Sequence, residues 1–152
     1  MERKRIEKAW ALYSDLTLRM SGIVEHRIKA EVGLTFADFA ILAALVRSPK
    51  REMRMGRLSE NLSYSPSRLS YLVTTLVNRG FVEKNSSPED GRGLVAILTD
   101  EGYRAWATAN EIQHQVFTDF VLSQVPDEEQ NQLREIFYQA ATRARDGEAH
   151  RR

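Results

Sequence analysis

Apolar residues first recur at helical spacing. Ile6, Ala9, Trp10, Tyr13, Leu16, Met20, Ile23, Val24 and Ile28 follow one another at intervals of three and four, which predicts a long helix over 2–29 with a single apolar stripe. Gly33 ends it, and Thr35 is placed as the N-cap of a second helix with Asp38 in its first turn. Phe39, Ile41, Leu42 and Leu45 make that helix densely apolar, hence buried, and Ser48-Pro49 stops it. A short third helix is predicted over 55–62. Ser63-Tyr64-Ser65 is a turn, and Ser65-Pro66 is a cap and first-position pair that opens a fourth helix. Leu69, Leu72, Val73 and Leu76 form its inner face, Arg79 its last residue and Gly80 its left-handed stop. The period then shortens. Phe81 to Lys84 and Leu94 to Leu98 read as strands, joined by the turn-rich Asn85 to Gly93. Thr99 caps a helix of about 23 residues, roughly 35 Å at 1.5 Å per residue. Asp127 and Gln130 stand at capping-box spacing before the last helix, which carries Leu133, Ile136, Phe137 and Ala140.

Helix, tight turn, helix and hairpin in that order predict a winged helix-turn-helix. A helix 10–12 Å across fits the major groove of B-DNA, about 12 Å wide. With the apolar set of the fourth helix turned inward, Ser67, Arg68, Ser70, Tyr71, Thr74 and Thr75 face outward. That face has hydroxyls and an arginine but no carboxylate, which suits donation to phosphates and base edges. Ser65 belongs to the same surface. Between the strands, Asp90-Gly91-Arg92 combines a residue that permits a tight reversal with an arginine suited to a narrow, electronegative minor groove.

Composition narrows the picture. The chain has 152 residues and a net charge of +1, but the charge is uneven. Residues 47–92 hold nine basic and five acidic side chains, whereas 93–142 hold two basic and eight acidic. A locally basic middle attracts polyanions even in a nearly neutral molecule; a chance imbalance of solvated charges is the plain alternative. Cysteine is absent, which excludes disulfides, thiolate metal sites and thiol redox chemistry. The longest apolar run, Phe39 to Val46, is eight residues, too short to span a bilayer. A cytoplasmic protein is expected. No Gly-rich phosphate loop, nucleophile elbow or His-rich metal motif occurs, so neither an enzyme, a cofactor nor a metal site is expected.

The runs Leu58-Ser59-Glu60-Asn61-Leu62, Ser65-Pro66-Ser67-Arg68-Leu69, Leu76-Val77-Asn78-Arg79-Gly80-Phe81-Val82, Asp90-Gly91-Arg92 and Leu98-Thr99-Asp100-Glu101-Gly102 resemble the MarR (multiple antibiotic resistance regulator) family. The resemblance implies a mainly α fold with a small β-hairpin wing, flanked by dimerisation helices. It also implies a homodimeric transcription factor whose wing arginine, here Arg92, enters the minor groove with Asp90 as its carboxylate partner. The expected organisation is an N-terminal dimerisation helix (1–34), a winged DNA-binding domain (35–99) and C-terminal dimerisation helices (100–152). Apolar stripes outside the winged core agree with a dimer through Ile6, Trp10, Phe117, Phe120, Leu133, Ile136 and Phe137, although packing within one chain is the bland alternative. A two-fold dimer would read a pseudo-palindromic site in double-stranded DNA.

Members of the family resemble small-molecule switches, so the function expected is a repressor released by an aromatic or phenolic ligand. Trp10, Tyr13, His26, Phe36, Phe39 and Trp106 are the candidate lining, and aromatics at helical spacing equally suit an ordinary core. The alternatives are a winged-helix protein-interaction module and a ligand-independent regulator or activator.

Overall fold

The computed structural model describes the backbone of residues 2–86 and 93–149. Among the described residues, six helices and three strands run in the order α1 (Glu2–Val32), α2 (Phe36–Val46), β1 (Glu52–Arg54), α3 (Met55–Leu62), α4 (Pro66–Asn78), β2 (Val82–Ser86), β3 (Leu94–Leu98), α5 (Asp100–Phe120) and α6 (Asp127–Ala149). Single 3-10 turns occupy Pro49–Arg51 and Leu122–Gln124. The chain divides into two compact units, residues 1–114 and 115–152, with the boundary inside α5.

In the first unit the local signals act as their chemistry requires. Gly33, at φ +70°, closes α1 by donating its N–H to the Lys29 carbonyl, 3.0 Å away. The helix therefore runs three residues past the expected end at 29. Thr35 and Asp38 form a reciprocal capping box on α2: the Asp38 N–H donates to Thr35 Oγ1 (3.2 Å) and the Thr35 N–H to Asp38 Oδ2 (2.9 Å). Gly80, at φ +75°, terminates α4 in a Schellman motif, with Phe81 N–H donating to the Leu76 carbonyl and Gly80 N–H to that of Val77.

The expected hairpin is β2–β3, but the sheet has a third strand. β1 pairs antiparallel with β3 on the side away from β2, giving the order β1-β3-β2, with Met53 opposite Ala96 and Lys84 opposite Ala96 across the other seam. Three residues cannot establish a period of two, so β1 left no pattern in the sequence. The first hairpin strand is also shifted, to Val82–Ser86 from the expected 81–84, because Phe81 is committed to closing α4.

The core of the first unit joins Ile41, Leu42 and Leu45 of α2, Leu58 of α3, Leu69, Val73 and Leu76 of α4, and Val82 and Ala96 of the sheet, all buried. Leu72, expected inside, is half-buried. The apolar stripe of α1 divides in two. Val24 and Ile28 are buried, whereas Ile6, Trp10, Tyr13 and Leu16 are exposed. In the second unit Phe117 and Phe137 meet edge to face at 6.1 Å. There the Gln130 amide donates to Asp127 Oδ1 (3.0 Å), satisfying the expected pairing at the start of α6. No helix among the described residues is long and apolar enough to cross a membrane.

Candidate nucleic-acid interface and cavity

α3, the turn at Ser63 and α4 form the helix-turn-helix. Ser63 takes the left-handed conformation (φ 54°), which reverses the chain in one residue. Ser65 then caps α4, its Oγ accepting the Arg68 N–H at 3.3 Å, and Pro66 fills the first helical position, where no N–H is needed. Ser67, Arg68, Ser70, Tyr71 and Thr74 are exposed, and Tyr71 is 73% exposed. A large aromatic standing that far into solvent has surface available for a partner. Thr75 is half-buried, and its hydroxyl donates to the Tyr71 carbonyl (3.1 Å), so its reach outward is reduced. The Arg68 guanidinium lies over the Tyr64 ring, 4.4 Å from its centroid. Neither Tyr64 nor this stacking could be inferred from spacing, because residues 64 and 68 straddle the cap rather than share a helix. Asp90, Gly91 and Arg92 lie outside the described residues.

Thr99 fastens the end of α4 to the start of α5. Its hydroxyl donates to the Gly80 carbonyl (2.7 Å), its Oγ1 accepts the Gly102 N–H (3.0 Å), and its own N–H donates to the Phe81 carbonyl (3.2 Å). α4, the sheet and α5 thus share one hydrogen-bonded corner.

A separate cavity of about 330 Å³ opens between α2, α3 and α5 within the first unit. Phe36, Phe39, Ala40, Ala43, Leu62 and Trp106 supply apolar walls, and Arg47, Asn110 and Gln113 the polar groups. This volume lies at the lower end of the range typical of small-molecule sites. Phe36 and Phe39 pack edge to face at 6.4 Å. The Trp106 indole Nε1 is buried without a hydrogen-bond partner among the described residues. Of the six candidate lining residues, Phe36, Phe39 and Trp106 come together here. Trp10, Tyr13 and His26 stand on exposed parts of α1, outside the cavity, and Trp10 and Tyr13 stack on each other at 5.8 Å. The polar members were missed: Arg47 sits just past a helix that is apolar from Phe39 to Val46, and Asn110 and Gln113 look like ordinary solvated positions of α5.

The exposed apolar residues of α1 include Ile6, Trp10, Leu12, Tyr13, Leu16 and Leu18, with Trp10 67% exposed. Of the expected interface residues in the second unit, Phe120, Ile136 and Phe137 are exposed, whereas Leu133 and Phe117 are half-buried.

Residues 32–93 match the sequence model of the MarR family. An uncharacterised helix-turn-helix transcriptional regulator of Bacillus subtilis, YkoM, is 28% identical over 102 residues, covering 65% of this chain and 64% of the relative. The transcriptional regulator SarZ of Staphylococcus haemolyticus is 31% identical over 98 residues, 64% of each chain. Each match thus spans slightly less than two thirds of the relative's length. Among solved structures, Sco3205 of Streptomyces coelicolor, a MarR family regulator crystallised in complex with DNA, superposes with a TM-score of 0.73 at 28% identity, over 89% of this chain and 85% of that one. The runs around α3 and α4 that suggested the family therefore lie within the stretch that the MarR family model matches, and the chain has the winged helix-turn-helix fold of the DNA-bound MarR family structure.

Proposed function

We propose that this chain is a sequence-specific, double-stranded-DNA-binding transcriptional repressor, active in the cytoplasm as a homodimer, and not an enzyme. The observation that carries the reading is the outer face of α4. It is exposed, free of carboxylates, lined with hydroxyls, and mounted on a helix capped at both ends and braced at its base by Thr99. Ser65, Ser67, Arg68, Ser70, Tyr71, Thr74 and Thr75 are the proposed contacts on this face. Asp90, Gly91 and Arg92 join them from the segment between β2 and β3, with Arg92 directed to the minor groove and Asp90 as its partner. The match of residues 32–93 to the MarR family model and the likeness to the DNA-bound structure support the same reading.

The exposed apolar face of α1 is the proposed contact with a second copy, since six large apolar side chains in water on one helix are costly to leave uncovered. Ile136 and Phe137 of α6 would be covered in the same way. A dimer of this kind presents two copies of α4 to a pseudo-palindromic site.

The ligand proposed to release the repressor is a planar aromatic carrying an anionic group. The rings of Phe36, Phe39 and Trp106 suit its face, and the Arg47 guanidinium suits a carboxylate or phenolate.

Fluorescence-anisotropy titration with the DNA upstream of the protein's own gene, against scrambled DNA and at two salt concentrations, tests the proposal. Selective binding that weakens steeply with salt is the expected result. Salt-independent or non-selective behaviour would favour an interaction module instead. Sedimentation of Trp10→Lys alongside the parent tests the dimer: the parent should sediment as a dimer and the variant as a monomer.

A further inference from the structure

We propose that Tyr64 is a specificity-determining positioning residue: its ring is a platform that holds the Arg68 guanidinium in the orientation needed to read one base. The inference rests on the DNA-reading role proposed above for α4, and it adds a residue outside that contact set. Three observations carry it. The Arg68 guanidinium carbon lies 4.4 Å from the Tyr64 ring centroid, well inside the range of a cation–π contact. Tyr64 is itself fixed at both backbone groups by one residue: its N–H donates to the Ser59 carbonyl (3.1 Å), and its carbonyl accepts the Ser59 hydroxyl (2.6 Å). Ser59 is buried, so the clamp is shielded from competing water. Finally, the Arg68 backbone is fixed separately, by the bond from its N–H to Ser65 Oγ. Main chain and guanidinium of Arg68 are thus held from two directions while the side chain stays exposed.

The physical consequence follows from the nature of arginine. A free arginine on a helix surface samples many rotamers and must give up that freedom to make two parallel hydrogen bonds to a guanine edge. An arginine already lying flat on a ring has surrendered part of it before DNA arrives, and its planar donors keep a set direction. A loosely held arginine still attracts phosphates, because charge needs no orientation. Loss of the platform therefore removes discrimination while leaving the nonspecific component of affinity, a separation that general damage to the fold does not produce.

The test begins with the preferred sequence, obtained by selection from random double-stranded DNA using the full-length protein. Affinities are then measured for that sequence, for single-base-pair variants of it and for scrambled DNA, with Arg68→Ala, Arg68→Lys, Tyr64→Leu and Tyr64→Phe. Arg68→Ala should flatten the preference at one base pair in each half-site. Tyr64→Leu should reduce the preference at that same base pair by about three- to tenfold, with the loss falling on the preferred sequence and not on scrambled DNA. Tyr64→Phe, which keeps the ring, should restore it. Arg68→Lys keeps charge without the plane and should behave like Tyr64→Leu; being a change at an exposed position, it retains the test if Tyr64→Leu folds poorly. Full discrimination in Tyr64→Leu, while Arg68→Ala loses it, would overturn the platform and leave the DNA reading intact. A uniform loss on all sequences in Tyr64→Phe would also overturn it, making the phenol a phosphate contact. Unchanged discrimination in Arg68→Ala would overturn both the platform and the base-reading role of Arg68. A selection that yields no preferred sequence would overturn the DNA-reading role itself.

Discussion

Arg79, the C-cap of α4, holds its guanidinium 3.7 Å from the buried carboxylate of Asp38 at the start of α2. The same guanidinium donates to the Val32 carbonyl at the end of α1 (3.3 Å) and stacks on the Phe81 ring at 4.6 Å. One side chain therefore meets the ends of three helices. It supplies a counter-charge to a carboxylate already engaged in capping α2. Replacing Arg79 by Met retains the apolar stem but leaves Asp38 without its cation. A loss of about 2 kcal/mol is expected, to be read from urea unfolding. Asp38→Asn should cost less than Asp38→Ala, since the amide oxygen can still accept the Thr35 N–H.

Gly102 has no room for a methyl group. A Cβ there would lie 2.1 Å from the Phe81 carbonyl oxygen and 2.9 Å from a methyl of Leu98, and a backbone carbonyl cannot swing aside as a side chain can. Gly102→Ala should therefore push α5 away from the corner held by Thr99. The expected cost is about 3 kcal/mol or more, with a lowered thermal midpoint. This close approach, rather than any special backbone angle, accounts for the glycine.

Ser65 has two separable roles, as the cap of α4 and as a group on the proposed DNA face. Ser65→Ala should lose about 1 kcal/mol of stability. Ser65→Asp can still accept the Arg68 N–H and places a negative charge at a helix N-terminus, so stability should return. The same charge repels phosphate, so DNA affinity should remain lower than that of the parent. Unfolding curves and anisotropy titrations on the three proteins separate the roles. Recovery of both properties in Ser65→Asp would remove Ser65 from the DNA face.

The chain has two tryptophans, and one of them lines the cavity. In a Trp10→Phe background the emission reports on Trp106 alone. Salicylate should change that emission in a saturable way, and Arg47→Ala should weaken its binding about tenfold, as expected for loss of a charge-assisted contact. Phenol, lacking the carboxylate, should be much less sensitive to Arg47→Ala. A silent titration with both compounds would argue against the cavity as an aromatic-acid site.

Much of the architecture was legible because it is written in local chemistry. Caps at Thr35, Ser65 and Thr99 and stops at Gly33 and Gly80 act within a few residues of themselves, so spacing reveals them. The outward face of α4 was legible for a related reason: subtracting an apolar stripe from a helix leaves its complement, and only Leu72 and Thr75 are blurred, both at the margin between the two faces. What depends on distant pairing was not legible. β1 exists because β3 offers it an edge, not because Glu52, Met53 and Arg54 favour a strand. The polar groups of the cavity, Arg47 just past α2 and Asn110 and Gln113 on α5, are brought together only by the tertiary fold. The aromatic residues of α1 show the limit from the other side. Helical spacing identified Trp10 and Tyr13 as members of an apolar stripe but could not say whether that stripe faced a cavity or the solvent.

The small third strand also bears on how the protein behaves at high concentration. With β1 on one side and β2 on the other, β3, the most apolar strand of the sheet, is paired on both flanks over its middle residues, Val95 to Ile97. The two outer strands are only three and five residues long, and they carry Glu52 and Arg54, and Glu83 and Lys84. A stray extended chain would find too few unpaired backbone groups to gain a foothold, and charges beside them. Three residues invisible to any periodic pattern thereby leave the three described strands a poor seed for aggregation.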